Sequence, residues 1–560
     1  MKKTLSLLVS FAIALSLLIG SSAAVASDSG AKLTPVGTFP IVEGERPTYT
    51  CIVATGPFIE DLNTNTQSLW YEELTNVKVI YEQINEVDVA TKMNAILAAD
   101  DLPDFFLNAR VPDMASRYGA EEGMFIALDD LIDDNMIYIQ ETMKLFPEGT
   151  LDMVRASDGK LYGLPTIQDC FHCINACRLW INTDWLAAVN MDMPTTTDEF
   201  YAALKAFKEG DPNGNGKTDE IPMAGYVVGG WHATPEKMLM NSFLYYDLSL
   251  ARDDTDGARN HGWFINDNKD VDTALNKDAY REGLRYINKL FSEGLLYESS
   301  FTADQEQITS LVENPDACMV GVVASGWGGG FAKVPGERYS QYMALPVLKG
   351  PEGIQYACTF PSTPDPVFFI TDKAENPEIL LRWTDYFYSE EGTLLFRRGP
   401  EGVNWRWPEE GEVGINGLPA VWTQLIPWND SEPQNEWWVR LGTFAETDAL
   451  RLGQTMDPST DIHSMDGLEL FLYRETAEKY RPYAQFEKVV PPLIYGADVS
   501  DEMNILKTDY SKYVKQWATD FMTGTKSLDD DWDNYIAGFD TMKLPRILEI
   551  MNGSYAGQYK

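Results

Sequence analysis

The sequence predicts an α/β fold of two interlaced lobes with large helical additions. Three observations lead there. Short apolar strand-like runs alternate with amphipathic helical runs early in the chain, which is the pattern of a layered α/β lobe. Helical segments dominate afterwards. No internal repeat or low-complexity linker divides the 560 residues, although a chain of that length holds roughly two to four units of 100–200 residues. Without a linker, the chain has to cross between lobes more than once.

The elements follow in order. Residues 1–26 belong to export: Lys2 and Lys3 form a basic start, residues 5–19 an apolar run, and Ala24-Val25-Ala26 a cleavage site. That run is shorter than the roughly 20 residues a membrane span needs, and no later stretch reaches that length. Residues 48–54 read as the first strand, 66–74 as a helix and 76–82 as the second strand. Residues 88–99 carry Val89, Met93, Ile96 and Leu97 on one helical face, and 102–107 form the next strand. Helices are expected at 197–208, 277–293, 377–397, 465–486, 500–523 and 527–551.

Charge narrows the function. Acidic residues number 85 against 44 basic ones, a net charge of −41 that export cleavage takes to −43 by removing two lysines. Phosphate binding needs clustered Lys and Arg, so nucleic acid is excluded as a partner, and an anionic membrane surface is disfavoured. With 44% hydrophobic and 12% aromatic residues, the chain has the means to build a core.

The six cysteines are too few for a disulfide scaffold. Cys51, Cys318 and Cys358 stand in strand-like runs and read as small buried hydrophobes. Cys170, His172, Cys173 and Cys177 admit a metal site, a local disulfide or unpaired thiols.

The sharpest chemical signal is the loop Asp211-Pro-Asn213-Gly-Asn215-Gly216-Lys217-Thr-Asp219-Glu220-Ile-Pro222. Oxygen-bearing side chains at alternate positions with glycine in the sixth match the front of an EF-hand, whose turn wraps hard oxygens around Ca²⁺. Pro222 replaces the bidentate Glu at the twelfth position, so Asp219 and Glu220 would supply the missing carboxylates and Lys217 its carbonyl. The expected role of the calcium is structural.

Aromatic residues lie in unusual settings. Trp231, Trp327, Trp405 and Trp407 sit among Gly and Pro rather than on apolar helical faces. Indoles on loops suit stacking on sugar rings, with polar neighbours binding hydroxyls. Catalytic groupings are harder to find. The four histidines do not suggest a triad, G-x-S-x-G and H-E-x-x-H are missing, and among 85 acidic residues no acid–base pair stands out.

Taken together, these residues resemble the extracellular solute-binding proteins of ABC importers (family 1). The branch is the large one that binds oligosaccharides, including lipoprotein-like and aldouronate- or alginate-type receptors. The resemblance rests on Met93-Asn-Ala-Ile-Leu-Ala-Ala-Asp-Asp-Leu-Pro-Asp104, Asp158-Gly-Lys-Leu-Tyr-Gly-Leu-Pro165, Leu179-Trp-Ile-Asn-Thr-Asp-Trp-Leu186, Thr195-Thr-Thr-Asp-Glu-Phe200, the calcium-like loop, and Gly399-Pro-Glu-Gly402 with Trp405. It implies a periplasmic-binding-protein-like clamp (type II), with residues 36–165 and 346–400 in the first lobe and 166–345 and 401–560 in the second. Crossings are expected near 163–167 and 343–350. It also implies that the calcium loop is Asp211, Asn213, Asn215, Lys217, Asp219 and Glu220, and that ligand contacts are Trp327 first, then Glu401 and Trp405, then Gln168 and Trp231.

The function implied is capture of an oligosaccharide by hinge closure and delivery to an ABC permease in the cytoplasmic membrane, by a monomer and without catalysis. A secreted calcium-containing glycoside hydrolase or polysaccharide lyase is the alternative. A sensor that reports sugar to a membrane partner would look the same in sequence. Ser21 stands where a lipobox Cys would follow the apolar run, so the mature protein is expected to be soluble, periplasmic or extracellular. The acidic body favours neutral oligosaccharides, unless Arg397, Arg398 and Arg406 beside Trp405 reverse the sign locally.

Overall fold

A computed structural model describes residues 31–560 apart from 112–113, 249, 251–261, 361–362 and 427–432. The export segment and the expected soluble N-terminus lie outside the described residues.

The chain builds the first lobe with β1 (Thr48–Thr55), α1 (Thr66–Thr75), β2 (Lys78–Asn85), α2 (Val89–Ala99), β3 (Phe105–Leu107) and β4 (Leu164–Gln168). It then crosses to β5 (Leu179–Asn182), α3 (Thr197–Glu209), β6 (Ile221–Ala224), α4 (Asp278–Ser292), β7 (Val320–Ala324) and β8 (Tyr342–Ala344). It returns for β9 (Asp365–Ile370), α5 (Pro377–Asp385), α6 (Glu390–Arg398) and β10 (Ala445–Glu446), and finishes with α7 (Leu468–Lys479), α8 (Ala497–Thr523), α9 (Trp532–Thr541) and α10 (Leu544–Tyr559).

The first sheet has the order β10-β4-β9-β3-β1-β2 and the second β8-β5-β7-β6. Alternation along β1 explains its central place. Tyr49, Cys51 and Val53 enter one buried cluster while Ile52 and Ala54 enter another on the opposite face, as in a parallel strand covered on both sides. On α2, Val89, Met93 and Leu97 are buried at four-residue spacing. In the second lobe Tyr280, Leu284, Ile287 and Leu290 of α4 share one core with Met503, Tyr510, Val514 and Phe521 of α8. The C-terminal helices therefore thicken that lobe.

Several expectations are corrected. The helix expected over 377–397 is two, because Ser389 caps α6 by accepting from Gly392 N at 3.0 Å. The helix over 527–551 breaks where Lys543 takes a left-handed φ of 54° and Pro545 opens α10. Residues 401–560 do not all join the second lobe: β10 pairs in parallel with β4, and Trp438, Leu441 and Phe444 enter the first-lobe core. The crossings also shift along the chain. Residues 164–168 are still a strand of the first sheet, and Leu345 and Leu348 pack into the second-lobe core. The chain therefore crosses after Gln168, again after Cys358, and a third time between β10 and α7, whose Phe471 and Leu472 pack in the second lobe.

Among the described residues, no helix is long and apolar enough to cross a membrane.

Candidate functional site

Strand direction brings two edges together. β1, β2 and β3 are mutually parallel, β9 is antiparallel to β3 and β4, and β10 is parallel to β4. Gly56, Glu86, Asn108, Gln168 and Glu446 therefore all leave the first sheet at one edge, with Asp365 entering there. In the second lobe β6 and β7 are parallel, and β5 is antiparallel to β7 and to β8. Trp231 and Trp327 follow the ends of β6 and β7, at the edge where β5 begins. The crossing from Gln168 to Leu179 joins these two edges, so they face each other. Ligand crevices in α/β sheets lie at such carboxyl ends.

The first-lobe edge is polar and charged. It holds a cavity of about 580 Å³, with Gly56, Phe58, Glu86, Asn108, Arg110 and Arg440 in its lining. Arg110 is ion-paired with Asp365. Val439 and Arg440 both have left-handed backbone, φ 44° and 65°, a conformation costly for non-glycine residues and most of all for a β-branched one. The Asn108 side chain accepts from Gly442 N at 2.8 Å and anchors this strained turn.

Behind it lies a buried ionic network. Glu446 accepts from Arg397 at 2.9 Å and Arg398 at 3.2 Å, with Arg451 at 3.7 Å. Burial alone would raise its carboxyl, but Arg397, Arg398 and Arg451 outweigh it and hold the group at about 2. Arg451 also pairs with Glu469 at 2.8 Å. His172 beside them is kept neutral, because burial lowers it to about 3.

The second-lobe edge is aromatic. Trp231 and Trp327 are both half-buried, and each ring lies on a glycine. A Cβ on Gly326 would stand 2.3 Å from Trp231 Cε3, and one on Gly329 would stand 2.2 Å from Trp327 Cη2. Gly326 N donates to the Trp231 carbonyl at 2.7 Å, and Ser325 Oγ donates to the Trp327 carbonyl at 2.8 Å. Backbone thus supports one ring face and leaves the indoles partly open, as stacking requires.

The other expected contacts fall elsewhere. Gln168, with its carboxamide oxygen towards the guanidiniums, accepts from Arg451 at 2.9 Å and Arg397 at 3.1 Å, which puts it at the first-lobe edge. Trp405 lies at the floor of a hollow that it shares with Glu401. It is fully buried against Leu394, Trp422 and Leu450, and its Nε1 donates to the Gly399 carbonyl at 2.8 Å. Glu401 is exposed and borders, with Trp70 and Tyr386, this separate hollow of about 290 Å³ within the first lobe. Of the cationic cluster expected beside Trp405, Arg406 pairs with Glu412 at 2.7 Å, while Arg397 and Arg398 share the single carboxylate of Glu446. Asn108, Arg110, Val439 and Arg440 escaped sequence reasoning. Only the glycine at 442 hinted at a turn.

Cys170 and Cys173 form a disulfide. Their sulfurs and the His172 ring lie close enough to share one ion, but bonded sulfurs are not thiolate ligands, so only the reduced pair offers that donor set.

In the calcium-like loop, Asn215 N and Gly216 N both donate to Asp211, at 3.1 Å each, and the side-chain amides of Asn213 and Asn215 point to Asp219. Glu220 Oε1 is buried without a partner. Among the described residues, the carboxylates here are not gathered as closely as the ligands of one ion. The donor chemistry nevertheless suits calcium, and a hard cation would satisfy the orphaned Glu220 oxygen.

Comparison with known proteins gives consistent matches. Residues 55–394 match the family model described as bacterial extracellular solute-binding protein. The fructooligosaccharide ABC transporter substrate-binding protein FusA of Streptococcus pneumoniae is 26% identical over 93% of this chain and 92% of its own length. Lipoprotein LipO of Bacillus subtilis is 25% identical over 60% of this chain and 62% of its own. Among solved structures, a FusA EF-hand mutant in complex with fructo-nystose matches with TM-score 0.71 and 23% identity, over 91% of this chain and 99% of that one. An HMO-binding, ABC-transporter-associated solute binding protein from Bifidobacterium longum infantis matches with TM-score 0.74 and 21% identity, over the same shares. The fold is thus the two-domain, periplasmic-binding-protein-like one.

Proposed function

The chain belongs to the bacterial extracellular solute-binding proteins, and from that premise we propose that it captures an oligosaccharide between its lobes and delivers it to an ABC permease. The observation that carries this reading is the facing of two unlike edges, Trp231 and Trp327 on one and the polar 580 Å³ cavity on the other. A sugar offers both an apolar ring face and a fringe of hydroxyls, so one molecule answers both edges. Bridging them stabilises the closed arrangement through contacts that the open one lacks, and the permease reads the closed state. Likeness to FusA, a fructooligosaccharide ABC transporter substrate-binding protein, supports this over a hydrolase or lyase.

Neutral oligosaccharides are the favoured class. The whole chain is strongly acidic, which repels a polyuronate, and Arg110 at the first-lobe edge is matched by Asp365. Calorimetric titration against neutral and uronate oligosaccharides tests the reading. Saturable binding to a neutral member is expected. No binding to any member, alongside hydrolysis of one, would overturn it.

The loop Asp211, Asn213, Asn215, Lys217, Asp219 and Glu220 is read as a structural calcium site, supported by its donor set, by the orphaned Glu220 oxygen and by the EF-hand of the FusA structure. Calcium supplies the charge that lets these oxygens share one turn. The expected result is a calcium-dependent rise in thermal midpoint that Asp219→Asn abolishes. Identical midpoints with calcium and with chelator would remove the site. The mature protein is read as a soluble, exported monomer. Mass spectrometry finding a lipid-modified N-terminus would contradict solubility.

A further inference from the structure

Three of the six cysteines stand in the first crossing and a fourth, Cys358, opens the second. Cys170 and Cys173 are bonded to each other, whereas Cys177 and Cys358 are free and buried. They lie where the two crossings are tied together. Phe360 N donates to the Ile174 carbonyl at 2.8 Å, and Asn175 Nδ2 donates to the Cys358 carbonyl at 3.0 Å and to Thr359 Oγ1 at 3.2 Å. The Cys177 and Cys358 side chains interact directly, and His232 Nδ1 lies 3.5 Å from Cys177 Sγ.

The other free cysteines have different surroundings. Cys51 is inside β1 of the first lobe, and Cys318 contacts Tyr342 Oη at 3.1 Å. Only Cys177 and Cys358, among the described residues, combine a second free thiol with an imidazole. Cys177 is also the more acidic of the two. Burial raises both, but at Cys177 the Cys358 hydrogen bond and the charges of His232 and Lys237 prevail.

We propose that Cys177 and Cys358 are a redox-active dithiol that closes to a second disulfide in oxidising surroundings and staples the two crossings together. His232 accepts the Cys177 proton, and the thiolate attacks one sulfur of a small-molecule disulfide, releasing one thiolate. Cys358, losing its proton, then attacks the Cys177 sulfur of the mixed disulfide and expels the second. Two protein thiols and one small disulfide become one protein disulfide and two small thiols, so atoms and electrons balance. The new bond would join the ends of the segment holding β5, β6, β7 and β8, closing the second sheet into a covalent loop. Such a loop restricts the unfolded chain without bridging the lobes, so the clamp keeps its freedom to close.

The test uses the full chain in glutathione buffers from reducing to oxidising. One arm keeps the protein native; a second refolds it in the same buffer, so that burial of the thiols cannot hide the chemistry. Alkylation, unfolding and non-reducing peptide mapping follow. In oxidising buffer, titratable thiols should fall from the four free cysteines to two, with a Cys177–Cys358 cross-linked peptide beside the Cys170–Cys173 one. Cys358→Ser should instead hold glutathione on Cys177. Four thiols persisting in both arms, or Cys177 joined to Cys170 or Cys173, would overturn the proposal. The readout is sulfur chemistry alone, independent of any sugar.

Discussion

The two edges of the cleft achieve polarity in opposite ways. On the first lobe, charge is concentrated and compensated: Arg397, Arg398 and Arg451 converge on the buried Glu446, beside a turn that holds Val439 and Arg440 in left-handed backbone. On the second, two indoles rest on glycine backbone, and the buried Arg178 spends its charge on the Gly326 carbonyl at 3.1 Å. The first edge depends on every partner being present. The second depends on empty space beside particular glycines. The difference teaches that stability and ligand contact can be separated by mutation, one edge at a time.

The largest effect should come from emptying the first-lobe network. Glu446→Ala leaves buried guanidiniums without their carboxylate and should cost roughly 3–5 kcal/mol, read as a lower denaturant midpoint. An unchanged midpoint would remove the network from the account of stability.

Buried carboxylates should answer pH with opposite sign according to whether guanidiniums surround them. Glu446 is held at about 2, below its unfolded value, so its contribution is present above about pH 4.5 and is lost as the pH falls towards 2. In the second lobe, burial raises Glu236 and Asp247 to about 7 each. A raised folded value means stability present in acid and lost as pH rises from about 4 through 7, roughly 3–4 kcal/mol per group. Glu236→Gln should flatten the fall between pH 5 and 8 in denaturant titrations. A wild type equally stable across that range would sink the claim.

Next come the indoles. Trp327→Ala should weaken sugar binding roughly tenfold to a hundredfold with little loss of stability. Trp405→Ala should do the reverse, costing about 3–5 kcal/mol of stability and leaving affinity nearly intact in protein that remains folded. Calorimetry with thermal unfolding on both variants decides. Matching losses in both would erase the distinction between core and cleft tryptophans.

The smallest effects compare two glycines. Gly326→Ala displaces Trp231 and should reduce affinity about tenfold. Gly553→Ala, at an exposed position of α10 with nothing within 4 Å, should stabilise by roughly 0.5–1 kcal/mol and leave binding untouched.

Much of this was legible in the sequence. The alternation around residues 48–107 predicted the first lobe, and Trp231 and Trp327 were singled out by their glycines before the structure explained those glycines. What escaped was mostly long-range. β10 has two residues, too few to carry a pattern, and it belongs with β4 rather than with its neighbours in the chain. Trp405 sits among loop-forming residues, yet Trp422 and Leu450 bury it. Arg397 and Arg398 were noticed beside Trp405, but their partner lies 49 and 48 residues further on. Left-handed backbone at Val439 and Arg440 has no signal in residue type, because both are residues that ordinarily avoid it.

The central claim is that one ligand spans both edges. Hydrogen exchange with and without a saturating oligosaccharide from the titration panel tests it most directly. Simultaneous protection is expected around residues 56–59, 108–110 and 439–442 on the first lobe and 225–232 and 325–331 on the second. Protection confined to one lobe, with measurable binding, would contradict it.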